Sequence, residues 1–186
     1  MSISTETMID RKEIMKGKVL HVTVDTVRID DGKGGSAQTA VREAVWHFGA
    51  CAVLPIDQNG KIILVRQYRY AAAQPMLEVP AGKIEHDGES PQYCAERELE
   101  EEAAVTAGEI IPLGYTFTSP GFCNERIYLY LARDLHKGKQ HLDDDEYMNI
   151  ERYTPKEVEQ LIADNQIVDA KTIAIFEKSR HYLPGL

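Results

Sequence analysis

Residues 82–105 read GKIEHDGESPQYCAERELEEEAAV and place four carboxylates within the five positions from Glu98 to Glu102. An α-helix turns the chain by about 100° per residue, so residues three and four apart share a face. On such a helix one face carries the acidic side chains Glu98, Glu101 and Glu102. An adjoining apolar stripe consists of Ala95, Leu99 and Ala103. The stretch therefore predicts an amphipathic helix that holds carboxylates at the edge of a core.

Carboxylates this close together repel one another unless a cation lies among them. Two unit charges ~4 Å apart repel by roughly 4 kcal/mol at an effective dielectric constant near 20. Hard oxygen ligands of this kind suit Mg²⁺ or Mn²⁺. A Glu-rich helix taken alone is more typical of a solvated surface. The preceding loop favours a site instead, because Pro80-Ala81-Gly82 and Gly88 predict a tight turn and Ser90-Pro91 predicts the start of a helix.

Composition excludes several classes of function. The chain has 186 residues and a net charge of −9, which argues against a general binder of nucleic acid or of anionic membranes. Its three cysteines are widely spaced, so neither a zinc site nor a disulfide framework is predicted. The first residues lack the apolar segment of a signal peptide, and no apolar run could span a bilayer. We expect a soluble, cytoplasmic protein.

Two regions differ in pattern. Residues 18–28 alternate apolar and polar side chains, residues 30–36 predict a turn, and residues 40–47 predict a returning strand. Residues 1–48 are therefore expected to form an N-terminal β arm with a small antiparallel sheet. Such a sheet buries little alone and needs a surface to pack on.

Residues 49–186 are expected to form the second domain. The turn 57–60 predicts a hairpin between the apolar segments ACAVLPI and KIILVRQYRY. Further strands are predicted in EIIPLGYTFTS and RIYLYLA, and helices in TPKEVEQLIADN and DAKTIAIFEKSRHYL. Helices that cover a mixed sheet make an α/β sandwich.

The stretch that begins at Gly82 resembles the Nudix box. The family pattern is a Gly, a five-residue gap, Glu, a seven-residue gap, and Arg-Glu-apolar-x-Glu-Glu-x-Gly-apolar. Counting back from Arg97, the second gap places the first Glu at Glu89. Two departures occur, because six residues separate Gly82 from Glu89 and Ala104 replaces the late Gly. Neither departure alters a carboxylate, but Ala104 is strained by roughly 1 kcal/mol if the position needs a positive φ.

The resemblance extends from about Lys16 to the end of the chain. REAVWHFGACAVLPI, ILVRQYRY, LEVPAG, TSPGFCNERIYLYLA and DAKT are similar to the ADP-ribose pyrophosphatase branch of the Nudix hydrolases. This likeness implies a Nudix-type α/β/α sandwich with a mixed sheet, and a Mg²⁺ or Mn²⁺ cofactor. It implies metal ligands at Glu98, Glu102 and the carbonyl of Ala81, with Glu101 as a supporting or additional ligand. Arg97 would pair with Glu101 and fix its rotamer.

The segment 143–146 resembles the acidic loop that follows in this family. By position, Glu146 is the candidate further metal ligand and Asp144 the candidate general base. The alternative is a plain solvated acidic loop. Asp144 is also shorter than the Glu that this position often has, so a box carboxylate remains an alternative base.

Substrate contacts are implied at a second set of positions. Arg69 matches an Arg that grips the diphosphate, which a guanidinium can do with two parallel hydrogen bonds. Arg42 could pair with phosphate, and Trp46 could stack on adenine, although a lone Trp near a strand is more often part of a core. The other candidates for substrate contacts are Arg66, Pro120 and Glu125. Glu78 is expected to brace the site from the strand before the box.

The expected function is metal-dependent hydrolysis of the diphosphate linkage of a nucleotide sugar, with ADP-ribose as the first candidate. GDP-mannose or another nucleoside diphosphate sugar is an alternative substrate. A non-hydrolytic module that senses a nucleotide metabolite is an alternative of another class. The expected partners are the small-molecule substrate and a second copy of the chain, in a homodimer with exchanged N-terminal arms, and neither nucleic acid nor membrane.

Overall fold

The structure is a computed structural model that describes residues 3–30, 32, 38–85, 88–142 and 147–185. The chain divides into two compact units. The first comprises Met1–His47 and Phe117–Glu125, and the second comprises Phe48–Thr116 and Arg126–Leu186. The predicted division at residues 48 and 49 falls close to the first boundary, but the return of Phe117–Glu125 to the first unit was not predicted.

The first unit contains an antiparallel sheet in the order β1-β2-β3. Its strands are β1 (Thr5–Lys16), β2 (His21–Asp30) and β3 (Gln38–Trp46). The expected N-terminal antiparallel sheet is thus confirmed, whereas β1 lies in a segment for which the sequence pattern gave no strand. Every residue of β1 is exposed, including Met8, Ile9, Ile14 and Met15, each about half accessible.

The segment Phe117–Glu125 is hydrogen-bonded to the end of β3 within the same unit. The N–H of Val45 donates to the carbonyl of Phe122 at 2.8 Å, and the N–H of Asn124 donates to the carbonyl of Val45 at 3.2 Å. The Oδ1 of Asn124 accepts from the N–H of His47 at 2.6 Å. These bonds hold the Pro120 turn beside the strand that carries Trp46.

The second unit contains two further sheets. A four-stranded sheet has the order β7-β4-β9-β8 and a three-stranded sheet has the order β10-β5-β6. The strands are β4 (Ala50–Pro55), β5 (Ile62–Arg69), β6 (Gln74–Glu78), β7 (Ala81–Lys83), β8 (Val105–Phe117), β9 (Arg126–Lys137) and β10 (Met148–Tyr153). Because β4 pairs parallel with β9 and antiparallel with β7, the four-stranded sheet is mixed, as expected.

Alternate residues of the central strands enter two separate core layers, as the two-residue period of a strand requires. On β4, Ala50, Ala52 and Leu54 enter one layer, and Cys51 and Val53 enter the other. The first layer also holds Val158, Ile175 and Phe176, and the second holds Ala95, Leu99 and Ala103. Helices therefore cover both faces of the sheet region, which confirms the α/β/α sandwich.

Each of the three α-helices in the described residues begins at a capping side chain. They are α1 (Pro91–Ala103), α2 (Pro155–Ala163) and α3 (Ala170–Ser179). Ser90 caps α1, Thr154 caps α2 in a capping box with Glu157, and Asp169 caps α3. None of the helices in the described part of the chain has the length and hydropathy that crossing a membrane requires.

Two local expectations were wrong. The turn at Asp57–Gly60 exists, but β4 and β5 belong to different sheets, and among the described residues the pairing between Ile56 and Ile62 is an isolated bridge. The predicted turn at Pro80-Ala81-Gly82 is instead the start of β7, whose three residues pair with β4. Both differences arise because the pairing partner of each strand is distant in sequence.

Candidate active site

The helix α1 is fixed in register at both ends. The Oγ of Ser90 accepts from the N–H of Tyr93 at 3.2 Å, and Pro91 occupies the first helical position. At the other end Ala104 is left-handed, with φ 57° and ψ 31°, and its N–H donates to the carbonyl of Glu100. The late box position thus does need a positive φ, which L-residues other than glycine adopt at a cost.

Glu98 lies directly over the backbone of β7. Glu98 is only 8% exposed, although a Glu on a surface helix is normally solvated. A Cβ placed on Gly82 would lie 1.8 Å from Glu98 Oε1, so the carboxylate would have to leave its position. Gly82 therefore provides the space into which the carboxylate of Glu98 fits.

Glu102, one turn further along α1, is 4% exposed and faces the same strand. One of its oxygens accepts from the N–H of Ala81 at 2.9 Å. The sequence predicted carboxylates at the edge of a core, and the structure buries these two. They are packed against β7 at Ala81 and Gly82, so the structure brings three of the predicted metal-binding positions together.

Arg97 balances the negative charge of the box. Its Nε donates to Glu89 at 2.9 Å, and its Nη1 donates to Glu98 at 2.7 Å and to Glu101 at 2.8 Å. Burial disfavours the charged guanidinium, but the bond to Glu89, the charge of Glu98 and the bond to Glu101 outweigh it and raise the pKa of Arg97. The predicted pair of Arg97 and Glu101 is confirmed, and Arg97 also fixes Glu98.

Glu89 was not among the predicted site residues. Its carboxylate accepts from Arg97 and from the N–H of Glu85 at 2.8 Å. Burial would raise the pKa of Glu89, but these hydrogen bonds outweigh it and lower the pKa below its ordinary value. Glu89 therefore stays ionised and orients Arg97.

Arg69 is hydrogen-bonded to a buried carboxylate. Its Nε and Nη2 donate to the two oxygens of Glu78 at 2.8 and 2.7 Å, and Glu78 is 1% exposed. The bond to Glu78 is the main reason that the pKa of Arg69 is raised, and the charges of Glu102 and Asp169 add to it. Glu78 thus holds the guanidinium of Arg69, whose side chain remains 41% exposed.

Lys171 completes this network and was missed by the sequence analysis. Its Nζ donates to Glu78 and lies 3.0 Å from Asp169. Burial would raise the pKa of Glu78, but Arg69 and Lys171 outweigh it and lower that pKa. One signal was available: Lys171 lies in the first turn of α3, where a cation opposes the helix dipole unless an anion pairs with it.

Arg66 is engaged in a separate cluster. Its Nε and Nη2 donate to Glu151 at 2.5 and 3.2 Å, and Tyr153 donates to the same carboxylate. The bond from Arg66 lowers the pKa of Glu151 below its ordinary value. Arg66 is therefore held across the β5–β10 pair, with 39% of its side chain exposed.

The remaining candidates for substrate contacts lie in the first unit. Arg42 donates to Glu6 through two nitrogens at 2.9 and 2.5 Å. Trp46 donates to Thr23 at 2.9 Å, and the guanidinium of Arg11 lies 4.4 Å from the centre of its ring. That cation–π contact occupies one face of the indole.

The other two residues of this set lie on the segment Phe117–Glu125. Pro120 is exposed in a turn that Ser119 closes, because the carbonyl of Ser119 accepts from Phe122 at 3.1 Å and from Cys123 at 2.8 Å. Glu125 lies 3.5 Å from His47 Nδ1. Asp144 and Glu146 lie outside the described residues.

The donor set around β7 suits a hard divalent cation. Glu98, Glu102 and the peptide of Ala81 offer oxygen ligands, and Gly82 leaves room for a carboxylate close to the backbone. In the described part of the chain, no three His, Cys, Asp or Glu side chains by themselves form a metal-binding group. The set fits an ion that takes backbone oxygen, water and substrate oxygen beside two carboxylates.

Comparison with known proteins identifies what this arrangement resembles. The family model described as the NUDIX domain matches residues 46–175. The ADP-ribose pyrophosphatase of Bacillus subtilis is 38% identical over 90% of this chain and 88% of its own length. The methanol dehydrogenase activator of Bacillus methanolicus is 39% identical over 90% of this chain and 89% of its own length.

More distant matches agree with these. The GDP-mannose pyrophosphatase of Yersinia enterocolitica is 28% identical over 95% of both chains. A solved structure described as an ADP compounds hydrolase superposes with a TM-score of 0.80, covering all of this chain and 97% of its own, at 21% identity. That structure supports the fold alone.

Proposed function

The chain belongs to the NUDIX family and is a Nudix hydrolase, and we propose that it hydrolyses ADP-ribose to AMP and ribose 5-phosphate with Mg²⁺ as its cofactor. The observation that carries the chemistry is the packing of Glu98 and Glu102 against Ala81 and Gly82. The substrate rests on the resemblance to ADP-ribose pyrophosphatases.

Glu98, Glu102 and the carbonyl of Ala81 would hold the cation, with Mn²⁺ as a substitute for Mg²⁺ and Glu146 as a further ligand. When bound, such an ion lowers the pKa of water and neutralises charge that develops on phosphoryl oxygens. It also explains how an acidic protein with a net charge of −9 accepts a negatively charged diphosphate.

The chain's own residues would prepare the reaction. Arg97 holds Glu98 and Glu101 in place, so the carboxylates need not reorganise when substrate arrives. Asp144 or Glu101 would accept the proton of the attacking water. Arg69 is oriented by Glu78, and its exposed part would donate hydrogen bonds to the diphosphate and keep it in line for attack.

Arg42, Trp46, Arg66, Pro120 and Glu125 remain candidates for contacts with the nucleotide or the sugar. Arg11 covers one face of the Trp46 indole, so a base would have to stack on the opposite face. The homodimer with exchanged N-terminal arms also remains a proposal. It is supported by β1, along which four large apolar residues are about half exposed.

GDP-mannose is a second candidate substrate, because a GDP-mannose pyrophosphatase matches almost the whole chain. The two chemistries differ in the base and the sugar but not in the linkage that is cleaved. A preference for GDP-mannose would leave the roles of Glu98 and Glu102 unchanged and would reassign only the substrate contacts.

The experiment that tests this function is a substrate panel. Full-length protein is incubated with ADP-ribose, GDP-mannose, ADP-glucose and UDP-glucose, each with Mg²⁺, with Mn²⁺ or with a chelator, and the products are separated by anion-exchange chromatography. We expect the highest kcat/KM for ADP-ribose, equal amounts of AMP and ribose 5-phosphate, and no product with the chelator. Tight binding of ADP-ribose without release of AMP would instead favour the metabolite-sensing alternative.

A further inference from the structure

Cys51 and Cys94 form a buried pair of thiols that the proposed reaction does not use. Both residues are 0% exposed, and their Sγ atoms lie 2.6 Å apart. A disulfide bond is about 2.05 Å long, so an approach of roughly 0.5 Å would bring the two sulfurs to bonding distance. Since Cys51 lies on β4 and Cys94 on α1, both sulfurs already point into the space between strand and helix.

The pair lies directly beside the candidate metal site. In the β4–β7 ladder Cys51 lies opposite Gly82, the residue that accommodates Glu98. Cys94 precedes Glu98 by one helical turn, and its Sγ lies 3.7 Å from the carbonyl of Gly82 and 3.5 Å from that of Lys83. A bond between the sulfurs would therefore join the helix that carries the carboxylates to β4, the strand that pairs with β7.

We propose that Cys51 and Cys94 are a modification site, at which a peroxide forms an intramolecular disulfide that fastens α1 to β4. The cysteines are 43 positions apart, so the crosslink closes a long loop in the unfolded chain and lowers its entropy. The folded chain has to move little, because its sulfurs are nearly in place. The modification consequently stabilises the fold and holds α1 in register.

The reaction balances with hydrogen peroxide as the oxidant. One thiol gives up its proton as its sulfur attacks a peroxide oxygen, the O–O bond breaks, hydroxide leaves, and the sulfur becomes a sulfenic acid. The second thiol gives up its proton as its sulfur attacks that sulfenic acid, the S–S bond forms, the S–O bond breaks, and a second hydroxide leaves. The two thiol protons convert both hydroxides to water. Two thiols and one peroxide thus give one disulfide and two waters.

Cys123 supplies an internal control. It is the third cysteine of the chain and lies in the first unit, partly accessible, where its sulfur accepts from the N–H of Glu125 at 3.4 Å. Reaction of Cys123 alone would produce a sulfur acid or a disulfide between two chains, neither of which links residues 51 and 94.

The test uses the full-length wild-type protein and needs no activity assay. Protein reduced with dithiothreitol is compared with protein treated with stoichiometric hydrogen peroxide, and thiols are counted after denaturation. We expect the number of free thiols per chain to fall from three to one. Tryptic mapping should then reveal peptides 43–61 and 84–97 joined, with a mass two hydrogens below their sum. We expect Tm to rise by about 5 °C or more on oxidation and to return to the value of the reduced protein when dithiothreitol is added.

Three variants sharpen the result. Cys123→Ser should still lose two thiols and gain the same Tm shift, whereas Cys51→Ser and Cys94→Ser should lose the joined peptides and the shift. If either of the last two fails to fold, the wild-type peptide map decides. Retention of thiols at 51 and 94, their conversion to sulfinic acids, or a crosslink that involves only Cys123 would overturn the proposal.

Discussion

Glu98 occupies the space that a side chain at Gly82 would fill, since a Cβ there would lie 1.8 Å from Glu98 Oε1. The glycine is required for this close approach and not for its backbone angles, because Gly82 is absent from the positive-φ glycines. The carboxylate of Glu98 can therefore keep this position only while residue 82 has no side chain.

Substitution of Gly82 by Ala tests this relationship. We expect kcat/KM for the preferred substrate to fall by about 100-fold or more, because a displaced carboxylate loses its position in the site. The free energy of unfolding should fall by about 1–3 kcal/mol from overpacking. Urea denaturation and steady-state kinetics measure the two effects.

The matched control for that variant is Gly17→Ala. A Cβ at Gly17 would make only ordinary contact, at 3.5 Å from the carbonyl of Leu20. It should change neither activity nor stability by more than a small fraction of the Gly82→Ala effect. Wild-type activity in Gly82→Ala would contradict the assigned role of the Glu98–Gly82 contact.

Glu102→Gln separates charge from packing. The amide oxygen of Gln can still accept from the N–H of Ala81, so we expect Tm to change little. Loss of the negative charge should reduce kcat by about 10²–10³-fold. The control Glu96→Gln lies on the same helix but is exposed, and its variant should retain full activity. Equal activity of the two variants would remove Glu102 from the mechanism.

Glu78 should make the protein sensitive to acid. Its pKa is lowered from an ordinary value of 4.5 in the folded state, so the native protein binds fewer protons than the unfolded chain. The stabilisation is fully present above pH 4.5 and is lost as the pH falls through the lower folded pKa. The slope of the unfolding free energy against pH is proportional to the number of protons taken up on unfolding. In Glu78→Gln, that number should fall by up to one below pH 4.5.

The same variant should be less stable near neutral pH. Arg69 and Lys171 would lose their buried carboxylate, at a cost of about 3 kcal/mol. The control is Glu177→Gln, which removes an exposed partner of Arg180 and should alter stability by less than about 0.5 kcal/mol. Urea unfolding between pH 3.5 and 7 compares the three proteins, and an unchanged acid slope in Glu78→Gln would contradict the assignment.

Ala104→Gly should stabilise the protein, because Ala104 is left-handed with φ 57°. Removal of its Cβ strain should raise the free energy of unfolding by about 1 kcal/mol, less the entropy that a glycine adds to the unfolded chain. Ala73, with φ 54°, should behave alike when changed to Gly. Ala71→Gly, in the same exposed turn but outside the left-handed region, should bring no gain.

The oligomeric state follows from β1 if the proposed dimer is right. Light scattering should give twice the 20.9 kDa chain mass at micromolar concentration. The double variant Ile9→Lys and Ile14→Lys, which charges two exposed apolar positions, should be a monomer. Lys12→Glu on the same strand is the control and should remain dimeric. A monomeric wild type at this concentration would refute the dimer.

Local chemistry explains which parts of the fold could be predicted from the sequence. Ser90, Thr154 and Asp169 cap helices through bonds to residues three positions away, so each start is visible in a short window. The pair of Arg97 and Glu101 is equally local. The exposed strand β1 lacks a buried face, so no clean alternation marks it.

The distant contacts could not be predicted in this way. Burial of Glu98 and Glu102 depends on β7, and β7 exists because it pairs with β4 across some thirty positions. The bond from Lys171 to Glu78 spans 93 positions. Sequence pattern thus identified the acidic residues and placed them at the edge of a core, but it could not predict their burial, because what covers them is set by strand pairing.

The strand β4 divides its residues between two core layers, and this gives the chain a point of particular vulnerability. Insertion or deletion of one residue within Ala50–Pro55 would exchange the faces of every side chain beyond it, so residues sized for one layer would be forced into the other. Added length in the Asp57–Gly60 turn leaves that parity intact. Insertions and deletions among homologues should accordingly be found at the turn and be absent from the strand.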